Sequence, residues 1–316
     1  MAAPTKLRKI LSGFEYFPPQ PATVQVKCQE LECDTMISAA SGLELTYYTL
    51  KPKEAPTLGC VVFMHGILEH SYRYLHAFQL LASQGWAVAA LDIRGHGLSD
   101  GTKGYLPDMY EAVADELQFL KLLQARKLAA TGGYHLWGQS FGGLLAVLVA
   151  LDAPQGSIAS CVLTSPAMAN ELDCALNFVK VIKLGELIAC LNPTLKMVDV
   201  VAPSGMSRSV AEQERYTNDP LNSPGPIMIK TGVEIGHAQE DAFRRASEFS
   251  LPLWIGFGTE DKVNHAPGAQ DFLSKVATPE HAKEFQWYDG LFHTLAFEEE
   301  REQVFADVLA FLAKHK

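Results

Sequence analysis

The chain has 316 residues, of which 48% are hydrophobic and 20% are charged, so a disordered or fibrous chain is excluded. A formal net charge of −10 argues against nucleic acid as a partner and against strong attraction to an anionic membrane, because both require a basic surface. At this length we expect one large domain, or a core domain with an insertion.

The six cysteines form no C-x-x-C pair and show no histidine spacing typical of a zinc site, which predicts free thiols and no metal. The first residues carry positive charge but lack the apolar run of a secretory signal. The sequence also lacks any stretch of about 18 consecutive apolar residues, which a spanning helix would need. These features predict a cytoplasmic protein.

After a proline-rich connector at residues 18–21, the chain alternates between short apolar runs and helical patterns. Leu43–Leu50 alternates polar and apolar residues, as an antiparallel edge strand does. The later runs show little alternation, which predicts buried strands of a parallel sheet. These runs are Cys60–Met64, Ala87–Asp92, His135–Gly138, Cys161–Ser165, Leu251–Phe257 and Glu284–Tyr288. Helical patterns lie at about 71–84, 108–126, 141–153, 268–276 and 299–314.

This alternation predicts an α/β fold, with a mostly parallel central sheet flanked by helices. The alternation stops at residues 169–250, where we expect a helical cap, or lid, inserted into the core. The predicted divisions are therefore 1–34 for an N-terminal tail and first strand region, 35–168 and 251–316 for the two parts of the core, and 169–250 for the cap. In such sheets, the chemistry lies at the carboxyl ends of the strands.

Within the predicted cap, residues 175–191 contain twelve apolar residues of seventeen, which predicts a helix with most of its surface apolar. Such a helix must bury most of that surface or meet lipid. We consider two interpretations, a helix packed over the core and a lid in peripheral contact with membranes or lipid monomers.

Residues 138–142 form a G-x-S-x-G pentapeptide between an apolar run and a helical pattern. At this place a sharp strand-to-helix turn can expose a serine nucleophile, here Ser140. The backbone N–H of Phe141 would donate to an oxyanion, helped by the positive end of the helix dipole. A glycine-lined helix start with a capping serine is the structural alternative.

A serine hydroxyl needs a histidine to take its proton and a carboxylate to orient that histidine. Asp261 follows the fifth apolar run, where an acid belongs; Glu260 is the competitor, but it lies closer to the strand and has a longer side chain. His293 lies after the last run, whereas His281 precedes it. We predict Ser140, Asp261 and His293 as nucleophile, acid and general base.

Two further loops follow predicted strands. The backbone N–H of Ile67 is the predicted second oxyanion donor, and His65 is interpreted as a residue that braces this loop. The stretch at residues 92–99 combines charge, glycine and histidine. It has no Lys-Ser/Thr pair and no carboxylate cluster, so we interpret it as an internally hydrogen-bonded turn under the site.

Together these residues resemble the monoacylglycerol lipase family, within the lysophospholipase-like and serine-aminopeptidase-like α/β-hydrolases. The resemblance covers residues 35–314. Its motifs are H-G-I-L-E-H-S-x-R-Y at 65–74, D-I-R-G-H-G-L-S-D-G at 92–101, G-Q-S-F-G-G at 138–143, Y-T-N-D-P-L at 216–221, G-T-E-D at 258–261 and His293.

The resemblance implies an α/β-hydrolase fold and a serine esterase that cleaves monoacylglycerols to fatty acid and glycerol through an acyl-enzyme, without a metal or organic cofactor. It places Glu69, Arg73 and Tyr216 near the glycerol end of a small lipid ester. The alternatives are a surface-loop ion pair for Glu69 and Arg73 and cap packing for Tyr216. Members commonly have Gly where this chain has Leu68. Leu68 and Ile67 are therefore expected either to narrow the polar end of the site or to suit a bulkier apolar group.

Two functional alternatives stay open at this point. One is a lysophospholipase or another small carboxylesterase with the same triad. The other, from a different class, is a non-hydrolytic protein that binds or senses an acyl ligand. Acyl-chain length and oligomeric state are left open.

Overall fold

The structure is a computed structural model that describes residues 29–54, 57–129, 132–168, 175–198 and 201–316. The predicted connector at residues 18–21, most of the predicted N-terminal tail, Cys28 and Cys174 lie outside these ranges. The cysteines within them agree with the prediction of free thiols: Cys33, Cys60, Cys161 and Cys190.

The described residues form the following strands: β1 (Glu32–Ile37), β2 (Glu44–Leu50), β3 (Cys60–Met64), β4 (Ala87–Leu91), β5 (Tyr134–Gln139), β6 (Ser160–Thr164), β7 (Lys196–Val198), β8 (Ile227–Met228), β9 (Leu253–Gly258) and β10 (Lys283–Tyr288). The helices are α1 (Leu75–Ser83), α2 (Met109–Ala125), α3 (Phe141–Asp152), α4 (Ala175–Leu191), α5 (Pro203–Met206), α6 (Val210–Asn218), α7 (Ile229–Arg244), α8 (Ala266–Lys275) and α9 (Arg301–Lys314).

Eight strands form one sheet in the order β1-β2-β4-β3-β5-β6-β9-β10, and β7 pairs with β8 in a separate sheet. In the large sheet, β2 is antiparallel to both of its neighbours, and every other pair is parallel. The predicted α/β class, with a mostly parallel sheet, is confirmed. The strands β3, β5, β6, β9 and β10 therefore end at one common edge.

The strands predicted for the parallel part are all present, with ends shifted by at most two residues. The prediction of an edge strand at Leu43–Leu50 is wrong in one respect, because β1 pairs along the outer side of β2. The residues of β1 are mostly exposed, so this strand has no apolar run to reveal it. Helix α8 begins earlier than predicted, because Pro267 occupies its first turn, where proline is tolerated.

The sheet has a hydrophobic cluster on each face, and successive residues of β3 point to opposite faces. Val62 and Met64 belong to the cluster that contains α2, α3 and α8, whereas Val61 and Phe63 belong to the cluster that contains α1 and α9. Because β3 is buried on both sides, it reads as a continuous apolar run. Helix α3 is almost entirely buried, and its N-terminus directly follows β5.

The chain between β6 and β9, residues 165–252, contributes four helices and the two-stranded sheet within the described residues. We call residues 169–250 the insertion. Its helix α4 packs against α7, and α7 in turn packs against α3 of the core. No helix among the described residues has the length and hydropathy needed to cross a membrane.

Candidate active site

Ser140 occupies a sharp turn between the end of β5 and the start of α3. Its backbone has φ 53° and ψ −118°, a conformation that costs a non-glycine residue about 1–3 kcal/mol. Two hydrogen bonds hold it there, from Ser140 N to Thr164 O at 2.9 Å and from Ala167 N to Ser140 O at 2.9 Å. A Cβ at Gly142 would lie 2.1 Å from the Met64 carbonyl oxygen, so the turn requires glycine there.

Asp261 and His293 lie together in the loops that follow β9 and β10. Nδ1 of His293 is 2.9 Å from Oδ2 and 3.1 Å from Oδ1 of Asp261, and both side chains are at most 3% exposed. The carboxylate also accepts from the backbone N–H groups of Val263 at 2.8 Å and Asn264 at 3.0 Å. These bonds fix the carboxylate, which orients the imidazole. The competitor Glu260 is exposed at the neighbouring position.

A residue that the sequence reasoning missed, Asn264, links Ser140 to the loop that contains Asp261. Its side-chain nitrogen is 3.4 Å from Oγ of Ser140 and 2.7 Å from the carbonyl oxygen of Ser165. On the other side, Nε2 of Gln139 donates to the carbonyl oxygen of His293 at 3.4 Å. The carboxyl ends of β5, β6, β9 and β10 thus bring Ser140, Asp261 and His293 into one region.

The loop that contains Ile67 lies against Ser140. A Cβ at Gly66 would be 3.5 Å from Cβ of Ser140, and Phe141 follows Ser140 directly, so both predicted oxyanion donors belong to segments at this site. Leu68 has φ 64° and a buried side chain. This left-handed backbone favours glycine, which makes Leu68 a strained position in the loop.

His65 is buried beneath this loop. Its Nδ1 is 2.7 Å from the carbonyl oxygen of Gly66, and its Nε2 accepts from the backbone N–H of Ile93 at 3.0 Å. Both ring nitrogens are therefore used by the backbone, and burial holds the pKa of this imidazole well below its ordinary value. This geometry fits the predicted bracing role.

The loop after β4 is organised around the buried carboxylate of Asp92. It accepts from the backbone N–H groups of Ser71 and Leu98 at 2.9 Å each, and from the hydroxyl of Tyr48 at 3.0 Å. Burial raises its pKa. The bond from Leu98 fits the interpretation of residues 92–99 as an internally hydrogen-bonded turn, whereas Ser71 and Tyr48 connect this turn to neighbouring segments.

Glu69 and Arg73 form a buried ion pair, so the surface-loop alternative is wrong for them. Oε1 of Glu69 accepts from the backbone N–H of Gly66 at 2.7 Å and from the hydroxyl of Tyr74 at 2.8 Å. The guanidinium carbon of Arg73 lies 5.1 Å from the centroid of the Tyr216 ring. Substrate contact by Glu69, Arg73 or Tyr216 stays a prediction.

Glu212 of α6 is a second residue that the sequence reasoning missed. Nη2 of Arg73 donates to its Oε1 at 2.7 Å, and its side chain is buried. Burial raises the pKa of Glu212, and Arg73 opposes that shift. Burial alone would lower the pKa of Arg73, but the carboxylates of Glu69 and Glu212 raise it. The S-x-x-E spacing, in which Ser209 is the N-cap of α6, indicates that Glu212 lies in the first turn of a helix. It does not indicate that Arg73 is the partner of Glu212.

Comparisons with known proteins add a family and a fold. The sequence profile of the serine aminopeptidase S33 family matches residues 55–300. The monoacylglycerol lipase of Mycolicibacterium smegmatis is 27% identical over 279 residues, which cover 88% of this chain and 96% of that lipase. An uncharacterized abhydrolase domain-containing protein of Dictyostelium discoideum is 28% identical over 275 residues, 85% of this chain but only 27% of that protein.

A solved structure supplies the fold. The crystal structure of a soluble variant of monoglyceride lipase from Saccharomyces cerevisiae, in complex with a substrate analog, matches with a TM-score of 0.77 at 20% identity. The match covers 95% of this chain and 99% of that chain. The likeness shows that this chain has the α/β-hydrolase fold.

Proposed function

Because the chain belongs to the serine aminopeptidase S33 family of hydrolases, we propose that it is a serine carboxylester hydrolase that cleaves monoacylglycerols. The chain is a hydrolase with similarity to monoacylglycerol lipases; its substrate and the roles of its residues are what we propose. The observation that carries the proposal is the buried pair of His293 and Asp261 beside the strained turn of Ser140.

In the first half of the reaction, Oγ of Ser140 attacks the ester carbonyl carbon while Nε2 of His293 takes its proton. Asp261 accepts from Nδ1, which keeps the proton on that nitrogen and leaves Nε2 as the base. The backbone N–H groups of Ile67 and Phe141 stabilise the negative charge that develops on the carbonyl oxygen. His293 then gives the proton to the glycerol oxygen as the ester bond breaks.

In the second half, a water molecule attacks the acyl ester of Ser140 and gives a proton to His293. The bond between the acyl carbon and Oγ breaks, the fatty acid leaves, and His293 returns its proton to Ser140. Apart from the attacking water, each of these steps uses side chains and backbone amides of this chain. Each step reuses the same base and the same oxyanion donors.

The glycerol ester is favoured by the similarity to the Mycolicibacterium smegmatis monoacylglycerol lipase. A lysophospholipase or another small carboxylesterase would use the same triad, so the substrate must be tested directly. Family members commonly have glycine at the position of Leu68. This difference bears on the choice of ester substrate, because the buried side chain of Leu68 lies in the loop beside Ser140. The alternative of a non-hydrolytic acyl-binding protein is disfavoured by membership of a hydrolase family.

Peripheral membrane contact through α4 is the second part of the proposal. Leu184, Leu187 and Leu191 recur at helical spacing and are 59%, 62% and 83% exposed. Exposed leucines on one face of a helix favour burial in the interface of a bilayer. With a formal net charge of −10, the contact rests on apolar burial rather than on anionic lipid.

The test compares release rates from monoacylglycerols, lysophosphatidylcholine and aryl esters with the full chain and with S140A. We expect the fastest turnover on monoacylglycerols, loss of turnover in S140A, and covalent labelling of the wild type alone by a fluorophosphonate. Faster turnover of lysophosphatidylcholine or of aryl esters would show that monoacylglycerols are not the preferred substrate. A folded wild type that the probe does not label would contradict the enzymatic mechanism.

A further inference from the structure

The residues that surround the buried guanidinium of Arg73 come from three separate parts of the fold. Glu69 belongs to the loop after β3, Glu212 to α6 in the insertion, and Phe297 to the segment after His293. The guanidinium carbon is 4.2 Å from the centroid of the Phe297 ring, and the group donates to both carboxylates. Arg73 thus contacts three segments: the loop after β3, which contains Ile67 and which we call the oxyanion loop, the insertion, and the segment after His293.

The carboxylate of Glu69 uses its two oxygens for different tasks. Oε2 accepts from Arg73, while Oε1 accepts from the backbone N–H of Gly66 at 2.7 Å. The second bond closes the loop from 66 to 69, which contains the peptide N–H of Ile67. The Gly66 carbonyl, which belongs to the same peptide unit as that N–H, lies 2.7 Å from Nδ1 of His65. Glu69 therefore restrains the backbone next to the predicted oxyanion donor, together with His65.

Other contacts between the insertion and this loop also restrain the loop. The backbone N–H of Ser223 donates to the carbonyl oxygen of Leu68 at 2.9 Å, and His70 pairs with Asp219 at 2.9 Å. Leu68 lies at φ 64°, a conformation that persists only where surrounding contacts hold it. The insertion supplies some of those contacts.

We propose that Glu212, a residue of the insertion, is a positioning residue for the oxyanion loop, acting through Arg73 and Glu69. This inference rests on the proposed function. With Glu212 ionised, the guanidinium is anchored on both sides and presents a fixed partner to Glu69. Without it, the guanidinium turns toward Glu69 alone, and the bond from Gly66 N to Glu69 loses its fixed geometry.

The test uses E212Q in the full chain, with E214Q as the matched control. Glu214 is exposed on the same helix, two residues away, and undergoes the same chemical change. E212Q leaves Arg73 paired with Glu69, so no buried charge is left uncompensated. Loss of an oxyanion donor costs about 10²–10³-fold in kcat; for a displaced donor we expect a loss of about 10-fold, with KM unchanged.

An aryl ester serves as the substrate, because it lacks glycerol. A residue that only binds the glycerol end would raise KM for monoacylglycerols and leave aryl ester turnover unchanged. E212Q should lower kcat for both substrates, and E214Q for neither. Wild-type kcat in E212Q on the aryl ester would overturn the inference.

A second measurement separates this inference from the proposed function. Hydrogen–deuterium exchange of the peptide covering residues 65–70 reports the Gly66 amide whether or not the protein hydrolyses any ester. We expect faster exchange there in E212Q than in E214Q, at equal melting temperature. Equal exchange in the two variants would overturn the inference. Faster exchange in E212Q than in E214Q, combined with a wild type that cleaves no monoacylglycerol, would overturn only the substrate assignment.

Discussion

The side-chain amide of Asn264 donates to Oγ of Ser140 at 3.4 Å. The same nitrogen donates to the carbonyl oxygen of Ser165 at 2.7 Å, which holds the amide in place. Ser165 is itself strained, with φ 44°. Asn264 therefore restrains Ser140 from the side of the loop that contains Asp261.

We expect N264A to lower kcat by up to about 10-fold, because a single hydrogen bond contributes about 0.5–1.5 kcal/mol. Steady-state kinetics on an aryl ester measure the effect. N218A, at the exposed end of α6, is the control and should keep the wild-type kcat. An unchanged kcat in N264A would show that the contact does not orient the nucleophile.

The pair of Asp261 and His293 leads to a larger prediction. In D261N the side chain can no longer hold the proton on Nδ1 of His293, so the wrong tautomer is favoured and kcat should fall on the order of 10⁴-fold. The measurement is single-turnover acylation by an aryl ester. E260Q changes the exposed neighbour in the same way; a comparable loss there, with little loss in D261N, would reassign the acid.

Glu116 on α2 is buried, and within the described residues neither carboxyl oxygen has a hydrogen-bond partner. Burial, helped by Asp115, raises its pKa well above the ordinary value. The folded state therefore binds this proton more tightly than the unfolded state. The stability that the neutral carboxyl provides is present below about pH 4 and falls as the pH rises toward the folded pKa.

E116M should raise the free energy of unfolding at pH 7 by about 2 kcal/mol, since it removes a buried polar group without a partner. The gain over the wild type should shrink as the pH is lowered toward 4. Urea unfolding at several pH values tests this, with the exposed E214M as the control. A gain that does not depend on pH would point to better packing rather than to ionisation.

The positive φ of Leu68 predicts an unusual order of stability for two substitutions at this position. Both L68A and L68G lose the buried side chain, but only glycine adopts φ 64° without strain. L68G should therefore be more stable than L68A by about 1 kcal/mol, the reverse of the order in a helix. Thermal unfolding compares them; a more stable L68A would show that the loop relaxes to negative φ.

The exposed leucines of α4 predict binding to neutral vesicles. Each fully buried leucine contributes about 1.5–3 kcal/mol, so the double variant L187S/L191S should bind phosphatidylcholine vesicles at least about 10-fold more weakly. Vesicle flotation measures this. The control, I37S, changes a residue of β1 that is 58% exposed; equal losses in both would mean that binding is not specific to α4.

The local sequence pattern predicted the core strands and placed Ser140, Asp261 and His293 each after one of them. Both follow from short-range chemistry. A doubly covered parallel strand must be apolar throughout, and the carboxyl ends of such strands share one edge of the sheet. Ser140, Asp261 and His293 each follow such a run, so the sequence places them at the same edge of the sheet, whatever the connecting segments do.

Only the tertiary structure decided the pairing of Arg73 with Glu212, which is 139 positions away, and of Ser140 with Asn264, which is 124 positions away. A helical or strand pattern relates residues within about four positions of each other. Long-range contacts between polar side chains depend instead on how the insertion packs against the core. For the same reason, the edge strand β1 left no apolar pattern, because pairing with β2 rather than burial of its own side chains holds it in place.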